Sequence, residues 1–232
     1  MCIGLSKSGF AGVGLVTVIV MARLFPPRES TGILLPLLIC GDICAVVAFR
    51  KHTLWPLIGR MLPPTLIGIV AGYFLMQRIP DNRFGPVIGS IVLTMVFVQA
   101  LRRCRPALFE HIPHSHTFAW SMGGVSGITT MLANAAGPIM ALYFLAINLP
   151  KYAFVGTSAW FFLIVNVSKV PLSANLGLIH GSSLLFNLLL IPAVIAGTLL
   201  GRWLIAIVPQ RVFELLLLIF AGIASLRLIG VF

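Results

Sequence analysis

The chain is 232 residues long, 59% hydrophobic and only 9% charged, with a mean hydropathy of +1.07. Soluble domains carry about 25% charged residues, so this composition excludes a soluble globular enzyme. The net charge of +11 lies mostly in short connections between apolar runs. That is the pattern of positive-inside topology and interface snorkelling, not of a nucleic-acid surface.

In chain order the apolar stretches fall at roughly residues 10–22, 32–49, 57–77, 84–101, 117–132, 138–149, 153–168, 181–206 and 212–231. Several approach the length of about 20 apolar residues that spans a bilayer as a helix. The alternating segments of a transmembrane β-barrel are not seen. The predicted fold is all-α, a polytopic integral membrane bundle without a soluble domain. Cys2, Cys40, Cys44 and Cys104 form neither a disulfide framework nor a zinc spacing. Cys40 and Cys44 share a helix face, where packing of small residues is favoured over a metal or redox pair.

The strongly polar stretch, from Arg102 to His116, falls near the middle and divides two similar halves. Pro26 to Asp42 aligns with Pro150 to Asn166 at an offset of 124, pairing Gly32 with Gly156 and Asp42 with Asn166. Gly72, Pro80 and Phe84 then fall on Gly201, Pro209 and Phe213 at an offset of 129, and Leu101-Arg102 resembles Leu226-Arg227. The expected organisation is a first repeat over 1–103, a cytoplasmic linker over 104–116 and a second repeat over 117–232.

Each half holds a broken apolar segment followed by three full helices. The second break is Ala133-Asn134-Ala135-Ala136-Gly137-Pro138, where Pro removes a donor and Gly relaxes φ. The piece after it, 138–149, rises only about 18 Å and cannot cross a core of about 30 Å. It reads as half of a re-entrant hairpin or of a discontinuous helix. The first break is Ser6 to Gly14, preceded only by Met1 to Leu5, so the leading arm of the first repeat is expected to be truncated. A hairpin plus three spans is an odd number of crossings, which inverts the halves. Leaving out Lys7 and Lys169, the linker side then holds nine Lys and Arg against five opposite. Parallel halves would split seven to seven, so the charge bias favours inverted repeats with the linker in the cytoplasm.

Charge inside a membrane is costly and points to function. Lys7 sits in the first break, Asp42 within the run 32–49, and Lys169 closes the run 153–168 beside Asn166. An interface-snorkelling lysine is the competing account of Lys169, and a buried structural acid that of Asp42. Matching breaks in two halves are the mark of a transporter site near the midplane, and half-helix N-termini attract anions. Ser6, Lys7 and Ser8 in one break face Thr129, Thr130 and Asn134 in the other. These groups offer hydroxyls, amides and one ammonium with no acid, which suits a small oxyanion. The competing account is that Gly and Ser only allow close packing.

Gly124-Val125-Ser126-Gly127 matches the GxSG nucleophile motif of rhomboid intramembrane proteases, with His180 as a base 54 residues later. A Ser–His dyad could carry acyl transfer, but Gly4-Leu5-Ser6 echoes the motif without a histidine in its half. An intramembrane serine protease is therefore the alternative reading. His111, His114 and His116 fit a solvated linker better than a metal site.

With the repeat and both breaks in place, the chain resembles the sulfite exporter TauE/SafE family of anion transporters over nearly its whole length. The likeness rests on Gly4-Leu5-Ser6-Lys7-Ser8-Gly9-Phe10-Ala11-Gly12 and on Gly32-Ile33-Leu34-Leu35-Pro36-Leu37-Leu38 with Asp42. In the second half it rests on Ala133-Asn134-Ala135-Ala136-Gly137-Pro138, Phe154-Val155-Gly156-Thr157-Ser158 and Asn166-Val167-Ser168-Lys169-Val170-Pro171. The resemblance implies a multi-pass transporter of the plasma membrane, expected in a bacterial inner membrane, exporting sulfite, thiosulfate, sulfoacetate or a related anion. The residues expected to bind it are Ser6, Lys7, Ser8, Asp42, Thr129, Thr130, Asn134, Thr157, Asn166 and Lys169. No catalytic residue, metal, cofactor or nucleic acid is expected. The partners are the small anion and the lipid bilayer, and the reading is compatible with a homo-oligomer.

Overall fold

The described apolar runs become helices of 6 to 27 residues. The computed structural model describes residues 1–8, 13–105, 116–147, 149–207 and 226. In chain order the helices are α1 (Cys2–Lys7), α2 (Val13–Leu24), α3 (Pro27–Phe49), α4 (Trp55–Arg78) and α5 (Asp81–Cys104). They continue with α6 (His116–Ala133), α7 (Gly137–Ala146), α8 (Lys151–Asn175) and α9 (Gly181–Ile207). A 3-10 turn at Arg50–His52 links α3 to α4. No strand occurs among the described residues. Pro26, Pro80 and Pro150 stand immediately before α3, α5 and α8, where a missing N–H costs nothing because the first turn has no partner for it.

Five described helices are long and apolar enough to cross a membrane: Pro27–His52, Trp55–Arg78, Asp81–Val98, Tyr152–Asn175 and Ser183–Leu204. Both α2 and α7 are too short: at 12 and 10 residues they rise about 18 and 15 Å. Large apolar side chains lie exposed on the outside of the long helices, among them Ile67, Phe74, Leu185, Leu189, Leu199 and Trp203. In a bilayer this is the lipid-facing surface, which needs no aqueous cover.

The expectation for Lys169 changes. The run 153–168 does not stop at Lys169, because α8 continues through Pro171 to Asn175. Lys169 therefore lies inside a helix and is 2% exposed, which excludes snorkelling to the interface. The run 212–231, apart from Leu226, lies outside the described residues, as do residues 106–115 of the linker and Gly9 to Gly12 of the first break.

Two helix pairs pack in matching ways. A Cβ on Gly4 in α1 would meet Val194 O at 2.2 Å, Thr198 N at 2.3 Å and Gly197 C at 2.7 Å in α9. A Cβ on Gly127 in α6 would meet Thr65 O at 2.1 Å, Ile69 N at 2.7 Å and Gly68 Cα at 2.8 Å in α4. The three contacted positions are related by the offset of 129 found in the sequence. In the same way Gly201 abuts Ser8 and Leu5, while Gly72 abuts Met131 and Ile128. Thus α1 packs on α9 as α6 packs on α4, each pair meeting through a small-xxx-small face, Gly197/Gly201 and Gly68/Gly72. This register makes Gly127, and not Gly124, the counterpart of Gly4, so the echo between Gly4-Leu5-Ser6 and Gly124-Val125-Ser126 is not the structural one.

The central pair is α3 and α8. Gly32, near the start of α3, is packed against Leu178, just beyond the end of α8. Gly156, near the start of α8, is packed against Phe49 O, His52 and Thr53, at and beyond the end of α3. The two helices therefore run antiparallel. A hydrogen bond between their side chains puts Asp42 and Asn166 at the same height.

Candidate functional site

At that height a chain of polar side chains crosses the core. Asp42 on α3 is fully buried, and Lys7 Nζ stands 2.7 Å from its Oδ1. Asn166 Nδ2 donates to Asp42 Oδ2 at 2.7 Å. Asn166 Oδ1 accepts from Lys169 Nζ at 3.3 Å. The same ammonium donates to Asn134 Oδ1 at 2.6 Å, Thr130 O at 3.0 Å and Thr130 Oγ1 at 3.2 Å. Asn134 Nδ2 then donates to Thr31 O at 2.9 Å. Buried charges persist only when paired and hydrogen-bonded. Here one carboxylate and two ammonium groups are tied together through two asparagines.

The breaks shape this network. Helix α6 ends at Ala133, and Asn134 takes a left-handed backbone with φ of 51°. Asparagine tolerates that region. Its N–H bonds Thr130 O at 3.0 Å, closing the helix as an αL cap. The cap turns the Asn134 side chain towards α3 and α8 instead of along α6. Lys7 closes α1, with Ser8 as its C-cap. Its Nζ lies 4.7 Å from the centroid of the Phe162 ring on α8.

Beside the network lies a cavity of about 70 Å³, which is room for several waters or a small polyatomic ion. Its polar lining is Ser6, Lys7, Thr17, Thr130, Asn134, Ser158 and Asn166, and its apolar lining includes Leu15, Leu34, Leu38, Phe154 and Phe162. Gly14 and Leu15 from the first turn of α2, and Gly137 and Pro138 from that of α7, also border it. First-turn amides lack intrahelical acceptors and carry partial positive charge. Among the described residues no carboxylate lines the cavity.

Five of the ten expected site residues border this cavity: Ser6, Lys7, Thr130, Asn134 and Asn166. Asp42 and Lys169 lie behind it and hold the lining residues. The structure places the other three hydroxyls elsewhere. Ser8 Oγ donates to Gly4 O and Thr198 O at 3.1 Å each, fastening α1 to α9. Thr129 Oγ1 bonds back to Val125 O and Ser126 O in its own helix. Thr157 Oγ1 accepts from Leu54 N at 3.0 Å and anchors the α3–α4 connection. The cavity residue in that segment is its neighbour Ser158. One helical step turns a side chain by about 100°, and Ser158, Phe162 and Asn166 form a stripe at four-residue spacing that would have found it. Thr17 and Phe162 were likewise not expected.

The protease reading finds no dyad among the described residues. Ser126 Oγ is buried without a hydrogen-bond partner among them. His180 opens α9, where its backbone N–H and C=O bond the Ser183 hydroxyl. A nucleophile needs its base within hydrogen-bond reach.

Fold and site together define a multi-pass α-helical membrane protein with a cavity at its broken helices that a lysine and neutral polar side chains line. A family model described as Sulfite exporter TauE/SafE matches residues 1–228. The chain belongs to this family of membrane transporters for sulfite-type anions. No curated protein and no solved structure gives a match.

Proposed function

We propose that the protein exports a small sulfur-containing anion, such as sulfite, thiosulfate or sulfoacetate, by alternating access around the cavity at the two breaks. The observation that carries this reading is the cavity itself. It offers the Lys7 ammonium, the Thr130 hydroxyl, the Asn134 and Asn166 amides and two half-helix N-termini, with no carboxylate among the described residues of its lining. Such a set favours an oxyanion over a cation. The antiparallel α3 and α8, with the exchanged pairs α1·α9 and α6·α4, support inverted repeats, the architecture in which one repeat rocks against the other. The nine-to-five charge split supports a cytoplasmic linker, and the family points to the plasma membrane.

Of the ten residues first considered, Ser6, Lys7, Thr130, Asn134 and Asn166 contact the anion in this reading. Asp42 and Lys169 set the charge and hold those side chains in place. The test is flux into proteoliposomes across a panel of sulfite, thiosulfate, sulfoacetate and sulfate. Saturable flux of at least one sulfur anion, lost in a Lys7→Ala Asn134→Ala double variant, is the expected result. Absence of flux for all four overturns the reading.

A further inference from the structure

Lys7 serves two partners. Its Nζ is 2.7 Å from Asp42 Oδ1, and its side chain also lines the cavity, over the Phe162 ring. Asp42 does not line the cavity and has no exposed surface. Its two oxygens are unequally held. Oδ2 accepts from Asn166. Among the described residues Oδ1 receives no aligned hydrogen bond, and the ammonium in contact with it is that of Lys7.

An anion entering the cavity competes with Asp42 for one ammonium. If the anion wins, a buried carboxylate loses its countercharge, and an unpaired buried charge is strongly disfavoured. If Asp42 keeps Lys7, the cavity offers the anion a neutralised cation and a carboxylate close behind it. Both conflicts end when Oδ1 takes up a proton.

We propose that Asp42 is a proton-binding site filled together with the anion site. The Lys7–Asp42 ion pair opens, the Lys7 ammonium turns to the anion, and Oδ1 accepts one proton from water. No other bond changes. Lys7 keeps its three protons, and the Asn166 bond to Oδ2 persists. Anion and proton are then bound together, so one proton crosses with each anion. This rests on the anion-transport reading and adds its coupling ion.

The surroundings leave Asp42 as the group that changes. From α1 it faces Lys7, and from α8 it faces Asn166 with Lys169 behind. Lys169 donates only to neutral oxygens. On α3 itself Cys40 and Cys44 are half-buried, and Arg28 and Glu29 stand at the far start of the helix. The 3-10 turn carries exposed Arg50, Lys51 and His52. Among described residues the titratable side chains of α2, α6 and α9 are Arg23, His116 and Arg202, all exposed. Those of α5 lie in its first and last turns.

The test uses the full chain, purified in detergent and weakly buffered, with thiosulfate as probe. Thiosulfate stays fully ionised across the neutral range, so any proton taken up on binding enters the protein. The wild type is expected to take up about one proton per thiosulfate bound, with affinity rising up to about tenfold per unit fall in pH. Asp42→Asn, already neutral, is expected to bind without proton uptake and with a flat pH dependence. Binding by the wild type without proton uptake overturns the coupling while leaving the anion reading in place. Proton uptake that survives in Asp42→Asn moves the site elsewhere and also overturns it. No binding of thiosulfate, sulfite, sulfoacetate or sulfate by the wild type removes the anion reading and this proposal with it. The wild-type measurement decides the coupling even if Asp42→Asn fails to fold.

Discussion

Asn166 donates a hydrogen bond to Asp42 across 124 residues of sequence, the same offset at which Pro26 to Asp42 aligns with Pro150 to Asn166. Two equivalent positions that touch must lie beside the axis relating the halves. Identical acids there would set two carboxylates against each other, and they could not both ionise. An Asp with an Asn keeps the hydrogen bond and leaves one negative charge for Lys7. Asn166→Asp is therefore expected to weaken anion binding by more than about tenfold at neutral pH. Affinity should recover as pH falls and one of the two acids is neutralised. Titration calorimetry with thiosulfate at two pH values checks this, and equal losses at both would show that only the amide bond mattered.

Lys7→Ala removes a ligand and a countercharge at once. A charge-assisted hydrogen bond contributes about 1–3 kcal/mol, so anion affinity should fall roughly ten- to a hundredfold. Stability should fall as well, because breaking a buried pair costs about 3–5 kcal/mol. Adding Asp42→Asn should restore the melting temperature but not the affinity. Lys7→Arg should recover binding only in part. A planar guanidinium does not reproduce the compact ammonium that Lys7 sets between Asp42 and the cavity. A Lys7→Ala protein with wild-type affinity would remove Lys7 from the site.

Composition and periodicity made the class of fold legible, because about 20 apolar residues between charges leave few alternatives in a membrane. The pairing of Asp42 with Asn166 was legible as well, since the offset predicts symmetric positions. The sequence could not say which polar side chains turn inward. Thr157 and Ser158 are adjacent and chemically alike, yet one anchors a loop and the other lines the cavity. Ser8 and Thr129 look like ligands beside a break but spend their hydroxyls on carbonyls. Lys169 looked like a helix end because Pro171 follows it. In a membrane helix an internal proline is tolerated, so the end came a turn later.

Close packing at the paired interfaces should respond symmetrically to substitution. A Cβ at Gly127 or Gly4 would meet backbone atoms 2.1–2.3 Å away, and backbone cannot rotate aside. Gly127→Ala and Gly4→Ala are each expected to destabilise by about 1–3 kcal/mol, the usual cost of overpacking. Gly59→Ala, on the same helix as Gly68 but with open space around it, should be near neutral. Thermal unfolding in detergent ranks the three, and equal melting temperatures would contradict the packing.

Topology follows from the antiparallel pair. Lys51 after α3 and Gly177 after α8 lie in the two connections that pack at opposite ends of the central helices. Single cysteines at 51 and 177, in a background without the native cysteines, should differ in labelling by an impermeant maleimide on intact cells. Only position 177 should react if the linker side is cytoplasmic. Labelling of both or of neither from one side would sink the inverted arrangement.

Lys169 gives the sharpest separation of a functional from a structural charge. Its ammonium has four oxygen acceptors and no carboxylate in contact. An ionisable group at this depth costs about 2.5–3.5 kcal/mol on insertion scales. Replacing buried ions by apolar side chains of similar volume is often neutral, or stabilising by about 1–4 kcal/mol. Lys169→Met keeps the length and unbranched shape of the side chain. It gives up the bonds to Thr130 and Asn134, which line the cavity, and one positive charge behind them. The expected result is a melting temperature equal to or above the wild type, with anion affinity lower by about tenfold or more, the loss of one charge-assisted contribution of at least about 1.4 kcal/mol. A charge kept at the expense of stability is one the anion uses. The opposite pattern, a lower melting temperature with unchanged affinity, would make Lys169 a clamp for the αL cap at Asn134. The anion would then answer to Lys7 alone.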